Sequence, residues 1–239
     1  MFERVCLVHY HEIGLKGRNR SVFERRLQGN LDAALAGLPV ASAKRIPSRL
    51  AVRVKDPAAI DAVAERMAHV PGVTAISLAY LTDQQPSQME RAALAAMQDA
   101  GSFSTYRVES RRSNTTYTEP SMEMNARIGA FLGKHTEARV QLDDPDLTVS
   151  VIVTQGDTYV ASKRVSGVGG LPVGTAGRVI SLISAGIDSP VATWRMMRRG
   201  AVAVGVHFSG RPHTSDESER LVAEIGSVLE RSGGLGRIY

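Results

Sequence analysis

The chain has 239 residues, 43% of them hydrophobic and 22% charged, with a formal net charge of +5. That length exceeds the ~100 to 200 residues of a usual domain, so two or three modules are expected. No apolar run approaches the ~18 residues of a membrane span, and the charged start MFERVCLVHYHEIGLKGRN argues for the cytoplasm rather than for a signal peptide. One cysteine, Cys6, excludes an intramolecular disulfide and a cysteine-rich zinc site.

In chain order, VCLVHY is a short apolar strand run that makes Cys6 a packing residue. RSVFERRLQGNLDAAL spaces Val22, Phe23, Leu27, Leu31 and Leu35 at helical intervals, and Gly37 with Pro39 ends that helix. ASAKRIPSRLAVRV reads as a hairpin around Pro47. Pro57 opens a second helix to about His69, and the Pro71-Gly72 turn leads into the strand VTAISLAY. The order βαββαβ is ferredoxin-like and assigns residues 1–82 to one domain.

The pattern then restarts. SQMERAALAAMQDA is a helix, TYRVESRR a strand, SMEMNARIGAFLGKH a helix, and LTVSVIVTQGDTYVASKRV a hairpin turning at Gly156-Asp157, which makes residues 83–165 a second α+β domain. Basic residues gather at element ends here: Arg107, Arg111 and Arg112, Lys134 with His135, and Lys163 with Arg164. Arg grips phosphate with a bidentate fork, so these are candidate RNA contacts, with a solvated surface as the alternative. The basic excess itself lies earlier: residues 1–56 hold 11 Lys/Arg against 5 Asp/Glu, residues 57–165 hold 10 against 13, and residues 166–239 hold 8 against 6. A polyanion would dock on such a segment.

Residues 166–177, SGVGGLPVGTAG, are glycine-rich without hydrophobic periodicity and read as a linker. Gly167-Val-Gly169 is not a dinucleotide fingerprint, because no strand runs into a helix there. From residue 178 the order is strand RVISLI, loop SAGIDSP, helix VATWRMMRRG and strand AVAVGVHF, an α/β unit whose loop lies at the carboxyl end of a strand, where open parallel sheets bind ligands. Pro190 fits the first helical position, Asp188 or Ser189 suits the cap, Arg198 and Arg199 suit the negative helix end, and Gly200 closes it. Gly186 lets the backbone approach an oxyanion, and Ser184 and Ser189 add hydroxyl donors beside free helix amides. Asp188 would repel a polyphosphate unless a magnesium ion links the two. Without the Lys of GxxxxGK[ST], the loop is no Walker P-loop.

LPVGTAGRVISLISAGIDSPVATWRMMRRG resembles the PP-loop segment of the tRNA 4-thiouridine synthetases, whose motif is SGGxDSPVA. HEIGLKGRNRSVFERRL resembles that family's basic N-terminal opening, and YRVESRRSN with SMEMNARIGAFL resembles its RNA-binding THUMP domain. The resemblance implies a ferredoxin-like domain, a THUMP domain and, over residues 178–239, the start of an α/β PP-loop parallel sheet of the adenine nucleotide alpha hydrolase type. It also implies an ATP-dependent sulfurtransferase that adenylates uridine near position 8 of tRNA, with persulfide sulfur delivered by a cysteine desulfurase or other donor, and in some members a sulfur carrier protein and thiamine thiazole synthesis. Carried over, residues 184–189 (Ser184, Ala185, Gly186, Ile187, Asp188, Ser189) bind the phosphates of ATP, Leu182 and Ile183 line the adenine site, His207 and Phe208 contact the nucleotide, and Lys16, Arg18 and Asn19 face RNA. Mg2+ is expected through Asp188.

Two departures bear on this. Ala185 stands where the motif has glycine, and its methyl would narrow the phosphate approach if the backbone there needs positive φ, weakening ATP binding. A PP-loop sheet needs about five strands, and this chain ends at LGRIY, where a third would be starting; the family's catalytic cysteines lie beyond that point. Incomplete sulfur transfer and an unstable segment 178–239 are therefore expected. The competing readings are a tRNA-binding protein with a vestigial nucleotide domain, and another PP-loop ligase.

Overall fold

The computed structural model describes residues 2–114, 116–210 and 216–239. The chain divides into two compact units, residues 1–8, 39–64 and 76–165 in one and residues 9–38, 65–75 and 166–239 in the other.

The first unit is built on an eight-stranded sheet. Its strands are β1 (Glu3–His9), β2 (Lys44–Ile46), β3 (Arg49–Val54), β4 (Ala75–Thr82), β5 (Thr105–Arg112), β6 (Arg139–Val140), β7 (Leu147–Val153) and β8 (Thr158–Ser166), in the order β2-β3-β1-β4-β8-β7-β5-β6. The first four strands keep the ferredoxin-like order, with β1 antiparallel to β3 and Cys6 opposite Val52. The hairpin at Pro47 turns through Ser48 at φ 62, and Asp56 caps the turn at Pro57 by accepting from the Ala58 amide at 3.1 Å. The two sequence modules do not stay separate sheets, since β4 is hydrogen-bonded to β8 and one continuous sheet results.

Two helices of this unit, α3 (Pro86–Gln98) and α4 (Ser121–Leu132), cover one face of the sheet. Met89, Ala92, Ala93, Ala96 and Met97 recur at 3 to 4-residue spacing and pack with Met124, Ile128 and Leu132, with Tyr106 and Val108 of β5, and with the valines of β7. Each large side chain buried there contributes ~1.5 to 3 kcal/mol. Arg127 of α4 ties the layer together with a bidentate pair to Glu119 (2.7 and 2.8 Å) and a third bond to Glu90 of α3 (2.8 Å). On the opposite face Val5, Leu7, Ala51, Ala79, Ile152, Tyr159 and Ala161 form a second apolar cluster. Cys6 is fully buried, and burial pushes its thiol up to about 12.

The second unit contains α1 (Arg20–Ala34), α5 (Asp188–Arg198), α6 (Asp216–Glu230) and a parallel sheet of β9 (Arg178–Leu182), β10 (Val202–Val206) and β11 (Leu235–Ile238) in the order β11-β10-β9. One helix, α2 (Ile60–Ala68), runs from the first unit into the second. Of the expected stripe on α1, Leu27, Leu31 and Leu35 are buried, but Val22 is 52% exposed: it lies in the first turn, off the line that i, i+4 spacing draws through the three leucines. Met197, Ala203, Leu229 and Val173 form the core beside the sheet. The sequence reading of residues 209–234 proposes no helix, whereas α6 occupies Asp216–Glu230 with Val222 and Leu229 buried.

Residues 166–177, expected as a linker, are ordered and hydrogen-bonded. The amides of Gly167 and Gly169 bond the carbonyls of Thr74 (2.9 Å) and Val73 (2.7 Å), that of Leu171 bonds Arg198 (2.8 Å), and that of Gly174 bonds Gly200 (2.8 Å). Glycine is required at Gly170, where φ is +82 and a Cβ would overlap the Arg198 carbonyl.

Candidate nucleotide-binding site

β9 is too short to carry its side chains past residue 182, and the chain leaves the sheet through the loop SAGIDS into α5. Ile183 remains tied to the sheet, its amide donating to Val206 at 2.9 Å with its side chain 2% exposed. Leu182, Ile187 and Phe208 are exposed apolar side chains. His207 follows β10 directly. Its Nδ1 lies 2.9 Å from the Ile183 carbonyl, and because a carbonyl only accepts, that nitrogen donates a proton in the bond, which fixes the ring against the end of β9.

The loop is drawn together by hydroxyls. Ser189 Oγ accepts from the Ser184 amide at 2.9 Å and lies 3.1 Å from Ser184 Oγ, which accepts from the Gly186 amide at 3.3 Å. Thr193, 1% exposed, donates to the Ser189 carbonyl at 2.7 Å. Its proton being used there, the Ser181 hydroxyl must be the donor in the bond between Ser181 and Thr193. Strand, loop and helix are thus linked through Ser181, Thr193, Ser189 and Ser184. Ser181 and Thr193 give no signal in the sequence, because a single polar residue on a short strand or helix says nothing until its neighbour is known.

Two expectations about α5 are corrected. Pro190 is the third helical residue, not the first, and the N-cap is Ile187, which has no side-chain cap. Neither Asp188 nor Ser189 caps the helix, since Ser189 is drawn back to Ser184 and Asp188 has no partner among the described residues. The first-turn amides consequently have no intrahelical acceptor, the arrangement that receives an oxyanion. Gly200, at φ 92, closes the helix as expected.

Ala185 is not among the described residues with positive φ, so the condition under which its methyl would strain the loop is absent. Gly186 also has no positive φ, and a Cβ there would meet only Ser184 Oγ, at 3.5 Å. The chain itself does not need glycine at 186, and the space beside the Ser184 hydroxyl is open. The loop therefore fits a polyphosphate: free amides, two hydroxyls and room. Among the described residues no group of three or more His, Cys, Asp or Glu side chains could hold a metal ion.

The candidate RNA residues fall in both units. Lys16, Arg18 and Asn19 lie on the 3-10 turn Glu12–Asn19 that precedes α1, with the Lys16 ammonium 5.1 Å over the Phe23 ring. In the first unit, Arg107 and Arg111 project from the same face of β5 and flank Glu109, which Arg111 grips at 2.7 and 3.0 Å. Arg107 also donates to Thr148 and the Leu142 carbonyl, and Arg112 to the Tyr117 carbonyl. Lys134, His135, Lys163 and Arg164 are exposed.

Comparison with known proteins agrees with this architecture. The ThiI ferredoxin-like domain matches residues 5–77, the THUMP domain residues 87–163, and the thiamine biosynthesis protein (ThiI) family residues 174–238. A probable tRNA sulfurtransferase of Moorella thermoacetica is 38% identical over 229 residues. The chain belongs to the ThiI family. That relative is matched over 95% of this chain and 58% of its own length, and a probable tRNA sulfurtransferase of Natranaerobius thermophilus, 34% identical, over 95% and 57%. The chain thus spans a little under three-fifths of the family members it matches. The crystal structure of a 4-thiouridine synthetase in complex with RNA and bound ATP superposes with a TM-score of 0.87 at 32% identity, covering 99% of this chain and 61% of that one. PH1313 from Pyrococcus horikoshii superposes with a TM-score of 0.85 at 25% identity, over 98% and 79%.

Proposed function

We propose that the chain is the tRNA-holding and nucleotide-binding part of an ATP-dependent tRNA 4-sulfurtransferase. The observation that carries this reading is the SAGIDS loop at the carboxyl end of β9, with open first-turn amides and paired hydroxyls, in the same chain as a THUMP domain. ATP supplies the adenylyl group that makes the uridine O4 a leaving group, with release of pyrophosphate. Ser184, Gly186 and Ser189 bind phosphate oxygens, Asp188 approaches them through Mg2+, and Leu182 and Phe208 provide apolar surface for the base, whereas Ile183, expected beside Leu182 at the adenine, is too buried to line it. The His207 ring, fixed by Ile183, presents Nε2 beside the loop. Lys16, Arg18, Asn19, Arg107, Arg111, Arg112, Lys134, Lys163 and Arg164 contact the tRNA backbone.

The domain division proposed is ferredoxin-like over residues 1–82, THUMP over 83–165, a connector over 166–177 and the PP-loop segment over 178–239. The only thiol of the chain is the buried Cys6, so the persulfide whose terminal sulfur takes the place of O4, with AMP leaving, is assigned to groups outside these 239 residues, loaded by a cysteine desulfurase or a comparable donor. A sulfur carrier protein and thiamine thiazole synthesis are the secondary role of the same chemistry, and the cytoplasm is its setting. No helix among the described residues is long and apolar enough to cross a membrane.

The test is pyrophosphate release by the purified chain with tRNA and MgATP, with and without a persulfide donor. Release that depends on tRNA supports the reading. Tight tRNA binding with no nucleotide binding would replace it with a tRNA-binding module.

A further inference from the structure

At the far end of α5 from the nucleotide loop lies an open cleft of about 460 Å³, lined by Glu12, Gly170, Arg195, Arg198 and Arg199. Three guanidinium groups face one carboxylate. Arg199 is paired with Glu12 at 2.8 Å. Arg195 has no partner among the described residues, and Arg198 lies 4.7 Å from the centre of the Trp194 ring with its Nε buried and unbonded. Two positive charges in the cleft are therefore left uncompensated.

Their ordinary explanation is the negative end of a helix, whose last carbonyls lack intrahelical donors. Those carbonyls are already served by the backbone. The Arg195 carbonyl accepts from Arg199, that of Met196 from Arg199 and Ala201, that of Met197 from Gly200, and that of Arg198 from Leu171. No arginine is needed to cap α5, so the guanidinium donors remain available to an external acceptor. Arg198 lies over the Trp194 ring, which holds its guanidinium by a cation–π contact, and Gly170, where a Cβ would overlap the Arg198 carbonyl, lets the backbone at the cleft edge approach this residue. Two guanidinium forks lining one open hollow match a tetrahedral oxyanion, which Arg binds bidentately.

We infer that this cleft is a phosphate-binding site for the RNA backbone, formed by Arg195, Arg198 and Arg199 and held in check by Glu12. The inference rests on the proposed tRNA-binding function. It adds an RNA contact on the second unit that the basic motif around Lys16 does not include. The phosphates of a nucleotide seated on the loop cannot fill it, because the 11 residues of α5 place the two ends about 15 Å apart along the helix axis.

The experiment measures binding of fluorescently labelled tRNA to the full chain across a series of salt concentrations, alongside MgATP binding and thermal melting. The double variant R195Q/R198Q is expected to bind tRNA about tenfold more weakly, with a salt slope reduced by about one, and to bind MgATP as the unsubstituted chain does. Because loss could come from misfolding, E12Q supplies a gain: releasing Arg199 is expected to tighten tRNA binding about threefold, and R199Q in the same chain should erase that gain. Unchanged tRNA affinity and slope in R195Q/R198Q, while the unsubstituted chain binds tRNA well, overturns the cleft assignment alone. Binding of inorganic pyrophosphate that the double variant abolishes, with tRNA affinity unchanged, also overturns it in favour of a free phosphate. Absence of any tRNA binding by the unsubstituted chain overturns both this inference and the function on which it rests.

Discussion

Replacing Ala185 with glycine tests how the nucleotide loop works. The motif of the 4-thiouridine synthetases has glycine at this position, and the residue pattern alone suggests that alanine weakens ATP binding. The structure argues otherwise. Ala185 is exposed and lacks positive φ, so its methyl costs no backbone strain and glycine has none to relieve. What glycine would bring is freedom in the unbound loop, and ordering a glycine costs roughly 0.5 to 1 kcal/mol more than ordering alanine. With a factor of ten for each ~1.4 kcal/mol, A185G is expected to bind MgATP up to about fivefold more weakly and never more tightly. Isothermal titration calorimetry of the full chain with MgATP measures this directly. Tenfold tighter binding by A185G would mean that Ala185 strains the occupied loop, and the reasoning from its backbone would be wrong.

Two further substitutions test the loop and the first unit in turn. G186A should leave the melting temperature unchanged or slightly raised, since an added Cβ meets only Ser184 Oγ at 3.5 Å and alanine lowers the unfolded chain's entropy by ~0.4 to 1 kcal/mol. The methyl would stand where a phosphate oxygen approaches, so MgATP affinity should fall at least about tenfold, and an unchanged affinity would move the phosphate site elsewhere. The Arg127 guanidinium holds the Glu119 carboxyl below its ordinary range, so its stabilisation is complete above the unfolded value of about 4.3 and is lost as pH falls through the folded value. Urea titrations at neutral pH and near pH 3 should show a loss that E119Q diminishes, the bond being worth about 1.5 to 3 kcal/mol; an identical loss in E119Q would assign the acid sensitivity to other carboxylates.

Where contacts are local, the sequence was sufficient. Leu27, Leu31 and Leu35 mark the buried side of α1, TYRVESRR coincides with β5, and the two valine-rich strands with Gly156-Asp157 between them form the hairpin of β7 and β8. The regular recurrence of Leu221, Val222, Ile225, Val228 and Leu229 carries the helical signal of α6. Joining β4 to β8 could not be read, because pairing between strands about 80 residues apart depends on which edges are left free, and no local pattern records that. Glycine content suggested a linker at residues 166–177, yet the same glycines permit close backbone approach, as Gly170 does against Arg198. At the loop, the residue types were legible as chemistry. Their hydrogen-bond partners were not, and those partners decide that Ser189 serves Ser184 rather than the helix end.

That last distinction makes Thr193 a positioning residue. It does not face the loop's open side, being 1% exposed, but it receives the Ser181 proton and donates its own to the Ser189 carbonyl. Valine has nearly the same shape and neither function, so T193V would leave the Ser181 hydroxyl without an acceptor and free the first turn of α5 to shift. An unsatisfied buried polar group costs about 1 to 3 kcal/mol. A purely structural role would show only in the denaturation midpoint. If instead the hydroxyl chain sets the spacing of Ser184 and Ser189, MgATP affinity should also fall, by roughly three- to tenfold for 0.7 to 1.4 kcal/mol transmitted to the loop, and T193S, which keeps the hydroxyl, should restore most of it. Destabilisation of T193V with unaltered MgATP binding would show that the loop holds its shape through Ser184 and Ser189 alone.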